Sequence, residues 1–189
     1  MTAPSFGLQN EEVPYNMKLQ DMIGLAVFDV ENGKQIGKIH DFMVTADWRI
    51  TGIELEGKGL FSSHVKMVAW DDIVAYGEDA IMIRNQQAVR KTEAHDIQHT
   101  YLLGPGKLKD LSVLTEEGLM LGHISDVYFD QEMGNNIIGL EISDGFVSDI
   151  IEGRKWLPCT EDMSIGENAV MVPPLSEQRL EKAIYSVNG

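Results

Sequence analysis

The sequence predicts an all-β protein of two tandem small β-barrels, five to six strands each, followed by a short C-terminal helix. An internal repeat is the first observation behind this. Glu31, Gly33, Gly37, Ile39 and Asp41 recur as Glu116, Gly118, Gly122, Ile124 and Asp126 at an offset of 85. Gly52-Ile-Glu-Leu55 recurs as Gly139-Leu-Glu-Ile142 at 87, and Gly77-Glu-Asp-Ala80 as Gly166-Glu-Asn-Ala169 at 89. Self-similarity on this scale marks a repeated structural unit, and the drift in offset places small insertions in turns. The second observation is that each unit breaks into short runs that alternate apolar residues with polar residues or Gly, the period of a half-buried strand. Closing such a sheet on itself removes the exposed edges that make small β units associate.

Taken in order, residues 1–17 have a loop composition, with Pro4, Asn10, Glu11, Glu12 and Pro14, and read as a flexible N-terminal arm. The first unit, 18–85, carries strand-like runs at 25–30, 36–44, 50–55, 65–70 and 80–83. The Glu31-Asn-Gly33 step between the first two is a hairpin signal, because Gly accepts positive φ without steric cost. Residues 86–106 are polar, end in Gly104-Pro-Gly106 and read as a linker. The second unit, 107–174, repeats the strands at 111–114, 121–129, 136–142, 154–159 and 169–172. Over 175–189, Ser176 is a suitable N-cap for 177–185, where Leu180 and Ile184 share a helix face.

Thirty acidic against fifteen basic residues leave a formal charge of −15, which repels phosphate backbones and disfavours direct nucleic-acid binding. The second unit is strongly acidic, with 13 Asp and Glu against 4 Lys and Arg over 107–174. A single cysteine, Cys159, excludes an intramolecular disulfide and a Cys-rich metal site and suits a reducing compartment. No signal peptide and no membrane-spanning run is legible, so the expected location is cytoplasmic.

The residues assembled so far resemble the PRC-barrel family, named from the photosynthetic reaction centre H subunit and shared with the C-terminal domain of a bacterial ribosome maturation factor. The first unit carries the resemblance in Met22-Ile-Gly-Leu-Ala-Val27, Gly33, Ile36-Gly-Lys-Ile-His-Asp41, Gly52-Ile-Glu-Leu55, Val68-Ala-Trp-Asp-Asp-Ile73 and Gly77-Glu-Asp-Ala80. The second keeps Leu121-Gly-His-Ile-Ser-Asp126, Trp156-Leu-Pro158 and Gly166-Glu-Asn-Ala169 but lacks the Trp-Asp-Asp-Ile stretch. The resemblance implies a non-catalytic module that docks on another protein or assembly. In the H subunit the barrel caps a membrane complex, and in the maturation factor it contacts a ribosomal protein. No membrane-spanning run is legible ahead of the first unit, so no transmembrane helix is expected there and the chain looks more like the stand-alone tandem PRC-barrel proteins of bacteria.

No residue set reads as catalytic, and no cofactor is expected. His95 and His99 lie four apart, the spacing that puts two imidazoles on one helix face, but no third ligand accompanies them, so metal binding is not predicted. Asp41 and Asp126 read as acceptors of backbone N–H groups at a strand bend rather than as an acid–base pair. Glu54 and Glu141 read as outward-facing positions on the barrel. Cys159 lacks a His or basic neighbour and reads as an inert thiol.

The apolar tips between the third and fourth strands are the candidate protein-binding residues: Leu60 and Phe61 in the first unit, Phe146 and Val147 in the second. Asp144, Asp149 and Glu152 around the second tip point to a partner with a basic surface. The expected function is therefore a protein–protein interaction or assembly adaptor. A ribosome-assembly or RNA-associated role is the first alternative, and a small-ligand or metal-binding barrel the second. Peripheral contact with a membrane complex and homo-oligomerisation both stay open.

Overall fold

A computed structural model describes residues 16–57, 63–104, 106–130 and 134–182. The first sheet runs through β2 (Ala26–Asp29), β3 (Gln35–Val44), β4 (Ile50–Leu55), β5 (His64–Ala69), β6 (Ile73–Tyr76), β7 (Ala80–Ile83) and β8 (Val89–Glu93) in the order β6-β7-β2-β3-β4-β5-β8. The second runs through β10 (Ser112–Thr115), β11 (Met120–Asp130), β12 (Ile137–Ser143), β13 (Lys155–Pro158), β14 (Ser164–Ile165), β15 (Ala169–Val172) and β16 (Glu181–Lys182) in the order β14-β15-β10-β11-β12-β13-β16. The two paths are the same path, so the repeat in sequence is a repeat in topology. In each sheet one long strand serves two partners. The first half of β3 pairs with β2 and its second half with β4, and β11 divides its length between β10 and β12 in the same way.

Each sheet also takes in a strand from outside the repeat. Strand β1 (Asn16–Lys18) does not join the unit it precedes but pairs with β11 of the second. Strand β9 (His99–Thr100), which precedes the second unit, pairs with β3 of the first. The two units thus exchange arms. Both arms end at a buried carboxylate. The Gln20 N–H donates to Asp126 Oδ1 at 3.2 Å, while the Leu102 and Leu103 N–H groups donate to Asp41 Oδ1 and Oδ2, each at 2.8 Å. This is the backbone-accepting role expected for both aspartates, and it clasps an arm that crosses over from the neighbouring unit. Where each arm rejoins its own unit the chain turns at positive φ, 83° at Gly24 and 68° at Asp110. The N–H of each donates to the equivalent carbonyl, of Ile39 or Ile124. Gly has no penalty at such a φ, and Asp is one of the few other residues that tolerates it.

The units also share a core. Arg49 and Asn136, equivalent under the offset of 87, face each other in an antiparallel bridge, which places a local two-fold relation between the starts of β4 and β12. The Ile50 N–H donates to the Asn135 carbonyl and the Ile137 N–H to the Trp48 carbonyl. Trp48 Nε1–H donates to the Met163 carbonyl at 3.1 Å. Trp70 and Tyr76 of the first unit pack on Phe129 of the second at ring-centroid distances of 5.4 and 6.1 Å. One hydrophobic cluster runs from Leu19 to Val172.

Three expectations change. Residues 86–106 are not a plain linker: they form β8, which pairs along β5, and then the arm strand β9. The C-terminal helix is shorter than expected, a 3-10 helix over Pro174–Arg179, after which the chain extends into β16 against β13. Both segments hold the same place in their units, because β16 closes the edge of β13 as β8 closes that of β5. At the N-terminus, residues 16 and 17 of the expected arm belong to β1, and residues 1–15 lie outside the described residues.

A fourth change concerns charge. Glu54 and Glu141 do not face outward; they are 6% and 0% exposed. Glu141 is held by Lys18 Nζ at 2.6 Å, Arg154 at 2.7 Å, Tyr128 Oη–H at 2.8 Å and Ser125 Oγ–H at 2.9 Å. Burial alone would raise its pKa, but these donors outweigh burial and hold it down at about 2. Lys18 reaches this site only because β1 crosses to the second unit.

The two clasps make a contrast that can be measured. Asp126 accepts three bonds on one oxygen, from Gln20 N–H, Tyr101 Oη–H and Val127 N–H, so Asn can keep all three while removing a charge that burial disfavours. Asp41 uses both oxygens, and one Asn orientation or the other sets an NH2 against an N–H. Asp126→Asn should shift the denaturant midpoint little, and Asp41→Asn should cost about 1–3 kcal/mol. Equal costs would contradict this account.

Candidate functional site

The segment linking β12 to β13 carries large apolar side chains that its own unit does not bury. Gly145, at φ 113°, opens α2 (Phe146–Ile151). Within it Phe146 and Ile150, and Val147 and Ile151, are each four apart, so all four lie on one helix face. The opposite face is fixed by Asp149. Its carboxylate accepts from Ser143 Oγ–H at 2.6 Å and Asp144 N–H at 3.2 Å and lies 3.5 Å from Arg154 Nε. A surface helix ordinarily turns its apolar stripe inward; here the polar side is tied to the sheet and the apolar side faces solvent. Phe146 is 81% exposed, Val147 68%, Ile150 67% and Ile151 76%.

Beside the helix lies a groove of about 400 Å³ floored by Leu119, Met120, Leu121 and Leu180 and edged by Asp144, Glu152, Lys155 and Glu177. Asp144 lies two residues before α2 and Glu152 directly after it, so the edge of the groove meets the helix at both its ends. Lys155 Nζ sits 3.5 Å from Asp144 and 3.9 Å from Glu152. Leu175, two residues before Glu177 in the same 3-10 helix, is also exposed.

Of the residues singled out in the sequence, Phe146 and Val147 are exposed and adjoin Asp144 and Glu152. Asp149 is turned inward, its side chain 16% exposed, and shapes the site without lining its surface. Leu60 and Phe61 lie outside the described residues. Ile150 and Ile151 were not anticipated; their spacing of four from Phe146 and Val147 is the signal for them. His95 and His99 do not share a helix face: His95 is in the 3-10 turn Ala94–Asp96, 3.4 Å from Asp96, and His99 is in β9. Among the described residues no group of three His, Cys, Asp or Glu side chains converges in a way that could hold a metal ion. Cys159 packs against the core, and burial pushes its thiol pKa well up, the opposite of what a nucleophile needs.

Among the described residues no helix is long and apolar enough to cross a membrane. No curated protein matches the chain. A family model for the PRC-barrel domain matches twice, over residues 16–90 and 106–179. Each match starts at or near an arm and spans one repeat, and together they cover well over half of the 189 residues. The chain therefore belongs to the PRC-barrel domain family and carries two copies of the domain in tandem.

Proposed function

We propose that this protein is a non-catalytic docking module, an adaptor or assembly factor of the cytoplasm, that binds another protein through α2 and the groove beside it. The observation that supports this reading is the outward apolar face of Phe146, Val147, Ile150 and Ile151. Soluble proteins seldom leave such a contiguous patch uncovered, and rimmed by polar residues it is the usual signature of a contact surface. Burying such apolar side chains against a partner removes their surface from water, which favours association in proportion to the area covered.

The test compares wild type with Phe146→Ser/Ile150→Ser by cross-linking and mass spectrometry in native lysate. Thermal unfolding should hardly move, since exposed positions change stability by about 0.5 kcal/mol or less. A discrete protein cross-linked to the wild type through Lys155 should be lost from the variant. Identical sets of cross-linked proteins from the two would overturn the reading.

A further inference from the structure

We infer that the occupant of the α2 surface is a basic amphipathic segment: a stretch of a partner protein that presents aliphatic anchors flanked by lysine or arginine. This rests on the docking reading and specifies its chemistry. Three features of the surface point the same way.

The groove has an aliphatic floor, and the helix beside it adds one aromatic and three aliphatic side chains. A partner must therefore supply apolar anchors, since polar groups buried there would find few acceptors or donors. The rim is acidic. Asp144, Glu152 and Glu177 edge the groove, and Glu116 and Glu117 are exposed at the hairpin that supplies Leu119 and Met120. Among the described side chains Lys155 is the one cation lining the groove, and it already stands between Asp144 and Glu152. It partly neutralises two of the acids and leaves Glu177 and the hairpin glutamates in excess. The chain as a whole, at −15, extends that field, so cationic partners are drawn in and anionic ones repelled. An anionic membrane is disfavoured on the same ground, although the apolar helix face alone would suit lipid.

The test uses the full chain and three fluorescein-labelled peptides of equal length, read by fluorescence anisotropy. One is a Leu–Lys amphipath, the second a Leu–Glu amphipath with the same leucine spacing, and the third a Ser–Lys peptide with the same charge and no apolar anchor. The Leu–Lys peptide should bind saturably. Phe146→Ser/Ile150→Ser should weaken it by roughly tenfold or more, as loss of a buried anchor on each turn requires. Asp144→Asn/Glu152→Gln should weaken it less at high salt than at low salt, because exposed charge pairs are screened. Equal binding of the Leu–Glu peptide would show that charge selects nothing, and equal binding of the Ser–Lys peptide would reduce the effect to non-specific attraction; either overturns the inference. So would binding to phosphatidylcholine vesicles that is abolished by Phe146→Ser/Ile150→Ser, since the surface would then be a lipid contact.

The two readings fail separately. If the variant loses a protein partner in lysate but wild type does not bind the Leu–Lys peptide, docking stands and its proposed chemistry falls. If neither partner nor peptide distinguishes wild type from variant, both fall.

Discussion

Leu19→Ala and Met22→Ala are each expected to cost about 2–5 kcal/mol, the range for deleting a fully buried aliphatic side chain. Both residues are 0% exposed, and the helical turn α1 (Leu19–Met22) that carries them packs on β11. The distribution of the loss is more informative than its size. Because the arm belongs by sequence to the first unit but by contact to the second, the variants should open the second unit first. Native-state hydrogen exchange at low denaturant resolves such local opening from global unfolding. Amides of β11 and β12 should lose protection ahead of those of β3 and β4. The reverse order would mean that the arm exchange contributes nothing to the second unit.

Removing both cations from Glu141, as Lys18→Met/Arg154→Met, should cost about 3–5 kcal/mol, because a fully buried carboxylate is left without compensating charge. The lower end is expected, since Arg154 is 43% exposed and water screens its share. Adding Glu141→Met should recover a large part of the loss. No recovery would show that Lys18 and Arg154 act through packing rather than charge.

The acid dependence of wild type follows with a definite sign. Glu141 has a folded pKa of about 2 against an ordinary 4.5, so its contribution is fully present above the ordinary value and drains away as pH falls through the folded one. Asp41 and Asp126 run the other way. Burial raises both, so their ionisation costs stability at neutral pH and their protonation on acidification returns some of it. Urea midpoints of Glu141→Gln and wild type should converge as pH drops from 4.5 toward 2; parallel curves would refute the assigned charge state.

Much of the fold was legible because its signals are local and doubled. The long strands β3 and β11 largely alternate apolar residues with polar residues or Gly, their turns contain Gly33 and Gly118, and each unit corroborates the other at Ile39 and Ile124 or Gly52 and Gly139. What was missed lacks such signals. Strands β1, β9 and β16 are two or three residues long, too short for any period, and β8 shares almost no identity with β16. Their pairing is fixed by distant contacts.

The glutamates were misread for a related reason. Alternation argued that Glu54 and Glu141 face water, whereas burial of Glu141 is made tolerable by Arg154, Tyr128 and Ser125 together with a lysine 123 residues away in the chain. At the candidate site, the apolar composition of Phe146 and Val147 was visible, but the helix was not. Its orientation is set by Asp149, a residue that the sequence offers equally well as a surface charge.

The exchange of arms also bears on how the chain is made. The first unit receives its clasp when Leu102 reaches Asp41, 61 residues later, whereas Gln20 must wait for Asp126, 106 residues later. At ribosomal speeds of about 5–20 residues per second, the Leu19–Met22 segment spends on the order of 5–20 s without its docking strand. In the last part of that interval, between Leu102 and Asp126, the first unit can already close while Leu19 and Met22 still lack β11. Synthesis order and assembly order are thus inverted for the β1–α1 arm, and a chaperone acting on the nascent chain should be found on residues 16–22 and released once β11 has emerged.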